Sequence, residues 1–398
     1  MFTATKDQLL PTTTTGSWPR PRWYTAQMKG QPLSVRMADS AYREQFTDAV
    51  AAVVSDQERA GIDIVTNGDY HLDLDFAGRA WHHYPVERWA GLSGDRDSAA
   101  DAGIFTSTPG TLLNEVFTGW RYPDVIDKVT ARDPLEFDKL WRIAQARTER
   151  PVKIGTISAQ TLADVLPIKT DRYGDDRRDL ILDIADLFNA ELRALADAGC
   201  KVIQVEEPSI HALAAAHPED SEKMDFLVEA FNREVAGLED VEIWVHTCWG
   251  NPNMQKVYEH TSYEHSVDVF MSRLNIDVWT VEGKAGQMAV LPLLANYRET
   301  KGPKVALGVV SHRTLQVESP AEVAADIREA LKYVAVENLV LTSDCGYGRE
   351  GANRNIAFYK TSSTAQGANI VRRELGLPET RVRATDPTLQ VDVPRKGA

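Results

Sequence analysis

Four residues, each near the end of a short apolar run, carry the chemistry this sequence can offer. His246 and Cys248 flank Thr247, and the body of that run, Ile243-Trp244-Val245, is β-prone. On a strand, residues i and i+2 project from the same face, so this imidazole and this thiol can converge on one ion. Cys345 closes a second run, Thr342-Ser343-Asp344-Cys345-Gly346, and Glu282 closes a third, Thr280-Val281-Glu282-Gly283. Two thiolates, an imidazole and a carboxylate form a ligand set suited to Zn2+. The carboxylate is the member that a substrate sulfur could displace. A His-x-Cys pair is weak evidence alone, and cysteine is often simply buried; Cys200, in Gly199-Cys200-Lys201, reads as core filler. A cysteine nucleophile paired with histidine, or a closed structural zinc site, are the other readings of the same residues. Placement at three strand ends favours an open metal site.

Those strand ends must be brought together, and the chain alternates β-rich runs with helical stretches, as a parallel α/β sheet does. The runs are Thr12 to Ser17, Ile62 to Asp69, Val152 to Ser158, Val202 to Pro208, Glu242 to Cys248, Val278 to Gly283, Lys304 to Val310 and Leu339 to Cys345. Helical patterns lie between them, such as Ala41 to Ala60 and Leu180 to Ala198, the latter closed by Gly199. The count is that of a (β/α)8 TIM barrel, with a doubly wound open sheet as the alternative. In such barrels chemistry sits at the C-terminal mouth. Ser17, Asp69, Glu206, Glu207, His246, Cys248, Glu282, Ser311, His312, Asp344 and Cys345 all fall at C-terminal strand ends. Residues 1–398 therefore read as one catalytic domain. Residues 70–151 form a long insert after strand 2, on the mouth side, with many aromatics and no clear strand. Residues 376–398 form a C-terminal extension.

Composition narrows the partners. A net charge of −14 disfavours nucleic acid and anionic membranes, which need a basic footprint. No stretch approaches the length of a membrane span, and Lys6 and Asp7 interrupt what would be a signal-peptide core. Three cysteines in so long a chain fit a reducing compartment, so a cytoplasmic protein is expected. The tail offers a contact for a possible homo-oligomer.

At these residues the chain resembles the cobalamin-independent methionine synthase superfamily, over its catalytic C-terminal barrel. Thr13-Thr14-Thr15-Gly16-Ser17-Trp18-Pro19 is similar to the opening T-T-x-G-S-F-P, and Gln204-Val205-Glu206-Glu207-Pro208 to Q-[IV]-D-E-P. His246-Thr247-Cys248, Glu282 and Asp344-Cys345-Gly346 match the H-x-C, the next strand-end Glu and the D-C-G of the zinc site. The resemblance implies a zinc-held thiolate attacking an electrophilic carbon, with Ser17, Asp69 and Glu206 at the polar end of the thiol substrate. In methionine synthases the thiol is homocysteine and the carbon is a folate methyl.

Two departures bear on the electrophile. Asn67-Gly68-Asp69-Tyr70-His71 stands where the family more often has G-E, and the family's N-terminal half has no counterpart here. Gly78-Arg79-Ala80-Trp81-His82-His83-Tyr84-Pro85 looks more similar to the epoxyalkane:coenzyme M transferases, in which a coenzyme M thiolate opens an epoxide. Ring opening leaves an alkoxide that needs a proton; Tyr70, His71, His82 and His83 are the candidates. The sulfonate of coenzyme M calls for Arg79, Lys153, Arg313 or Arg349. The expected reaction is therefore opening of a small epoxide by a zinc-activated thiol. Methyl transfer to homocysteine or a related thiol is the alternative, and a structural zinc protein the third reading.

Overall fold

The computed structural model describes residues 4–6, 8–73, 80–98, 108–258, 261–298, 302–348 and 352–389. Their strands are β1 Val65–Thr66, β2 Trp89–Ser98, β3 Arg121–Ala131, β4 Val152–Ile157, β5 Val202–Glu206, β6 Glu242–Thr247, β7 Val278–Val281, β8 Lys304–Val310 and β9 Leu339–Ser343. Seven of these form one sheet in the order β1-β4-β5-β6-β7-β8-β9, every neighbouring pair parallel. Runs such as Val202-Ile203-Gln204-Val205 are buried along their length, as expected of parallel strands covered on both faces.

The sheet curls in the manner of a TIM-like barrel, and one segment touches both of its edges. Thr13 N donates to Leu341 O (2.8 Å) beside β9, and Leu341 N donates to Pro11 O. On the other side Asp63 N and Ile64 N both donate to Thr12 O, just before β1. The expected strand Thr12 to Ser17 is thus present as a bridge rather than a ladder, pairing only Thr12 with Leu341. Threonine hydroxyls replace the missing backbone bonds: Thr12 Oγ1 donates to Asp63 Oδ2, and Thr15 Oγ1 pairs with Thr342 Oγ1 at 2.9 Å. Gly16, at φ +64°, then ends the extended run.

Helices cover the outer face. Ser40–Ala60 is capped by Asp39, whose carboxylate accepts from Ala41 N and Tyr42 N, and ends at Gly61 with φ +92°. Arg178–Asp197 buries Leu180, Ile181, Ile184, Phe188, Leu192 and Leu195 at helical spacing. A separate inner layer takes one residue from each of β5 to β9, Val202, Trp244, Val278, Ala306 and Val340, together with Ile64 just before β1. Ala4 joins this floor. Thr5 N donates to Glu242 Oε1, and Lys304 Nζ donates to Thr5 O, so the N-terminal segment lies at the starts of β6 and β8. No helix among the described residues is long and apolar enough to cross a membrane.

The region between β1 and β4 departs from the expectation that it lacks strands. It holds the antiparallel pair β2/β3, running from Trp89↔Ala131 to Ser98↔Arg121 with register shifts. Gly91 and Gly94 and the bulges erase the alternation that would have marked these strands in the sequence. The helices Ala80–Val86 and Leu112–Gly119 accompany the pair, and Phe137–Gln145 packs against β4. In the expected C-terminal extension, Thr380 Oγ1 donates to Asp63 Oδ1 (2.9 Å), so the tail folds back at least that far.

Candidate metal centre

His246 and Cys248 leave the end of β6 on one face, and Cys345 follows β9 by two residues. One potential ligand atom from each lies within 4.8 Å of the others, and all three side chains are buried. The sulfurs are 3.8 Å apart and form no disulfide. Neither ring nitrogen of His246 makes a hydrogen bond, an expensive state for a buried imidazole unless something else binds there. Asn251 Nδ2 donates to Cys345 Sγ (3.4 Å) and to Gly346 O (2.9 Å), steadying the second thiol. The Cys248 S–H donates to Cys345, and His246 and His312 face it; together they drive the Cys345 thiol well below the usual thiol range. The same hydrogen bond and burial push Cys248 up. Burial alone would lower His246, but Glu206 and Cys345 hold it up at about 9.

Two sequence motifs meet behind this cluster. A Cβ on Gly346 would stand 2.6 Å from Ser17 N, and one on Gly16 would stand 2.9 Å from Gly346 Cα. Only glycine permits this backbone contact, which sets Ser17 beside Cys345-Gly346. Asp344 points the other way. Its carboxylate accepts from Gly283 N, Lys284 N and Ala285 N at 2.7–2.8 Å, fixing the turn after Glu282.

Glu282 lies at this end of the barrel but outside the three-donor cluster. Its Oε1 accepts from Arg313 Nε and its Oε2 from Arg313 Nη2, both at 2.7 Å. The remaining donors of Arg313 reach Gly250 O and Met254 O. With every branch of its guanidinium engaged, Arg313 is a clamp rather than the anion seat expected from the sequence. His312, next to it, is buried with both ring nitrogens unpartnered, and burial lowers it to about 4 beside Cys345 and Glu282.

A polar chain forms the opposite wall. Lys153 Nζ donates to Gln204 Oε1 (2.6 Å), Gln204 Nε2 donates to Glu206 Oε1 (2.7 Å), and Glu206 Oε2 stands 3.7 Å from His246 Nε2. Burial brings the Lys153 ammonium down to about 7, against the pull of Glu206 and Asp69. Asp69, Lys153 and Glu206 are therefore within electrostatic reach of one another. A Cβ on Gly155, two residues along β4 from Lys153, would meet Trp81 Cη2 at 3.0 Å. The helix Ala80–Val86 thus sets an indole edge against this wall.

Of the expected proton donors, Tyr70, His82 and His83 have hydrogen-bond partners, whereas Nδ1 of the buried His71 has none. Tyr70 donates its hydroxyl to Pro19 O (3.0 Å). His71 is buried edge-on to Tyr84, and burial lowers it to about 3, leaving a neutral ring. His82 Nδ1 pairs with Tyr122 Oη, and His83 Nε2 with Arg121 O, both at 2.8 Å. Arg79 and Arg349 lie outside the described residues. The sequence gives no role to Gln204 or Asn251, and it places His312 at a strand end without assigning it one. Gln204 could have been found from its place two residues before Glu206 on one strand.

Comparison with known proteins follows the same lines. The family model for the cobalamin-independent synthase catalytic domain matches residues 10–74 and 103–365, passing over 75–102. A methionine synthase of Saccharolobus solfataricus is 28% identical over 373 residues, covering 92% of this chain and 96% of that protein. One from Sulfurisphaera tokodaii is 27% identical over 367 residues, covering 92% and 94%. Among solved structures, a B12-independent methionine synthase from Shewanella sp. W3-18-1, in complex with selenomethionine, gives a TM-score of 0.72 at 24% identity, covering 92% of this chain and 99% of that one. None of these relatives is named as a coenzyme M or epoxide enzyme.

Proposed function

The chain belongs to the cobalamin-independent synthase catalytic-domain family, and from that premise we propose that it transfers a methyl group to a small thiol, homocysteine or a close relative. The observation that carries this reading is the convergence of His246, Cys248 and Cys345 within 4.8 Å. The donor set fits zinc: two sulfurs and a buried imidazole, with Glu206 3.7 Å from its Nε2. Zinc held by these residues would stabilise the substrate thiol as its thiolate at neutral pH.

The chain's own groups then select the thiol. Asp69 and Glu206 both act on the ammonium of Lys153, and a site with these carboxylates suits a substrate ammonium better than a sulfonate. Ser17, beside Cys345-Gly346, offers a hydroxyl to the rest of an amino-acid head. His312 places two unused ring nitrogens by Cys345, where a proton can pass to or from sulfur. On the electrophile side, the hydrogen bonds of Tyr70, His82 and His83 and the burial that keeps His71 neutral weaken the epoxide reading. Residues 75–102 fall outside the family match and contribute Trp81 to the wall, so they are the place where the methyl donor would be chosen and water excluded. Their role as a mouth-side insert rests on that contact.

The test is a crossed incubation of zinc-loaded protein. Homocysteine and coenzyme M are each offered with 5-methyltetrahydrofolate, a simple methyl donor or epoxypropane, and free thiol and product mass are followed. Homocysteine should be consumed to a methyl thioether. Consumption of coenzyme M with epoxypropane alone would overturn the reading in favour of epoxide opening.

A further inference from the structure

The resemblance to zinc enzymes makes Glu282 the fourth metal ligand, yet its carboxylate is otherwise engaged. Arg313 meets it fork to fork at 2.7 Å and 2.7 Å, and Trp249 N donates to Oε2 at 3.2 Å. The Glu282 side chain is fully buried and that of Arg313 nearly so, at 0% and 12% exposure. A bidentate Arg–carboxylate pair in a dry site is among the stronger polar contacts a protein makes. Arg313 is itself pinned. Its Nη2 donates to Gly250 O (2.8 Å) and its Nη1 to Met254 O (3.3 Å), in the segment that follows Cys248. The turn after Glu282 is held separately by Asp344.

We infer that Arg313 is a positioning residue that keeps Glu282 out of the metal's ligand set, so that the protein supplies only His246, Cys248 and Cys345. This deepens the metal reading proposed above and rests on it. Charge supports the arrangement. Two cysteine thiolates already balance a divalent ion, and a substrate thiolate adds one more negative charge. A fourth, carboxylate ligand would add another, whereas Arg313 cancels it. The incoming thiol then finds a place that no protein group must vacate.

The test reads the metal itself. Cobalt(II) is substituted for zinc, its visible spectrum is recorded, and zinc affinity is measured by chelator competition in wild type, Glu282→Gln, Arg313→Met and the double variant. In wild type, Glu282→Gln should leave the cobalt spectrum unchanged and move zinc affinity by less than about tenfold, the lower bound for losing a supporting partner. Arg313→Met should release Glu282 to the metal, shifting the cobalt bands and tightening zinc binding; adding Glu282→Gln should restore the wild-type spectrum. If Arg313→Met does not fold, Arg313→Lys keeps the charge but loses the fork and should shift the spectrum part of the way. A changed spectrum in Glu282→Gln alone, or none in Arg313→Met, overturns the inference and leaves the metal site standing. Failure of wild type to bind either metal removes both.

Discussion

Replacing Gly155 by alanine should disturb the Trp81 wall without touching the metal centre. The new Cβ would lie 3.0 Å from Trp81 Cη2, whereas carbon atoms settle at about 3.5–4.0 Å. The indole must therefore withdraw by about 0.5–1 Å. In a rigid core such overpacking costs about 1–3 kcal/mol. Trp81 is only partly buried and rides on a seven-residue helix, so the low end, about 1 kcal/mol, is expected. In a chain of 398 residues that lowers the melting temperature by only about 1–2 °C. Zinc content should not change, but the KM for the methyl donor should rise. The decisive comparison is a cycle with Trp81→Ala. Once the ring is gone, Gly155→Ala should cost nothing further in melting temperature or KM, leaving a coupling of about 1 kcal/mol. If the two changes add instead, the ring does not lie against Gly155, and the case for the insert as a wall of the site fails with it.

Three further outcomes follow from the same geometry. Cys248→Ser and Cys345→Ser should each lose most bound zinc by elemental analysis, while Cys200→Ser, whose sulfur faces the backbone carbonyls of Val202 (3.3 Å) and Val152 (3.8 Å), should keep it. Full zinc in either of the first two would refute the cluster. Binding of the true thiol should release up to about one proton per site, measured in weakly buffered solution, because the ligand is the thiolate; a thiol that binds without this release is not meeting the metal. Lys153 sets a pH dependence. Its folded pKa lies at about 7, below the ordinary lysine value of 10.5, so between those values folding expels a proton. Stability from this group is therefore gained as pH rises from about 7 to 10.5 and lost as it falls back, by a few kcal/mol at most. Lys153→Met should flatten that slope in denaturation curves between pH 6 and 10, and an unchanged slope would mean that the ammonium is not desolvated.

The sequence makes the sheet legible from β4 onward because those strands announce themselves by composition. Val202 to Glu206 and Lys304 to Val310 are dense in β-branched and small apolar residues, and each is bounded by polar groups that the mouth needs. Thr12 to Ser17 misleads for a physical reason. A run of threonines has high strand propensity, but here its hydroxyls pair with Asp63, Ser343 and Thr342, so the side chains do the work that a backbone ladder would have done. β2 fails in the opposite direction. Trp89-Ala90-Gly91-Leu92-Ser93-Gly94 has neither alternation nor propensity, and its pairing with β3 depends on shifts of register that no periodicity encodes.

The candidate metal residues stand out in the sequence because ligation restricts residue type and a strand restricts spacing, so that His246-x-Cys248 carries both constraints in three letters. Arg313 and Asn251 carry neither. An arginine after a strand is ordinary in any sequence, and only the curl of the sheet brings its guanidinium across to Glu282 and Gly250. The expected proton donors carry no such double constraint either. Tyr70, His71, His82 and His83 were gathered by their chemistry and nearness along the chain, but each finds a closer use in packing, against Pro19, Tyr84, Tyr122 and Arg121. Residue type and spacing thus constrain a metal-ligand set more tightly than a proton relay. A ligand set needs particular atoms from few residue types, whereas a proton can be held by any polar side chain that the fold leaves without a better partner. His312 is such a side chain. The sequence places it at a strand end, but its burial and its two nitrogens without hydrogen bonds beside Cys345 belong to the fold.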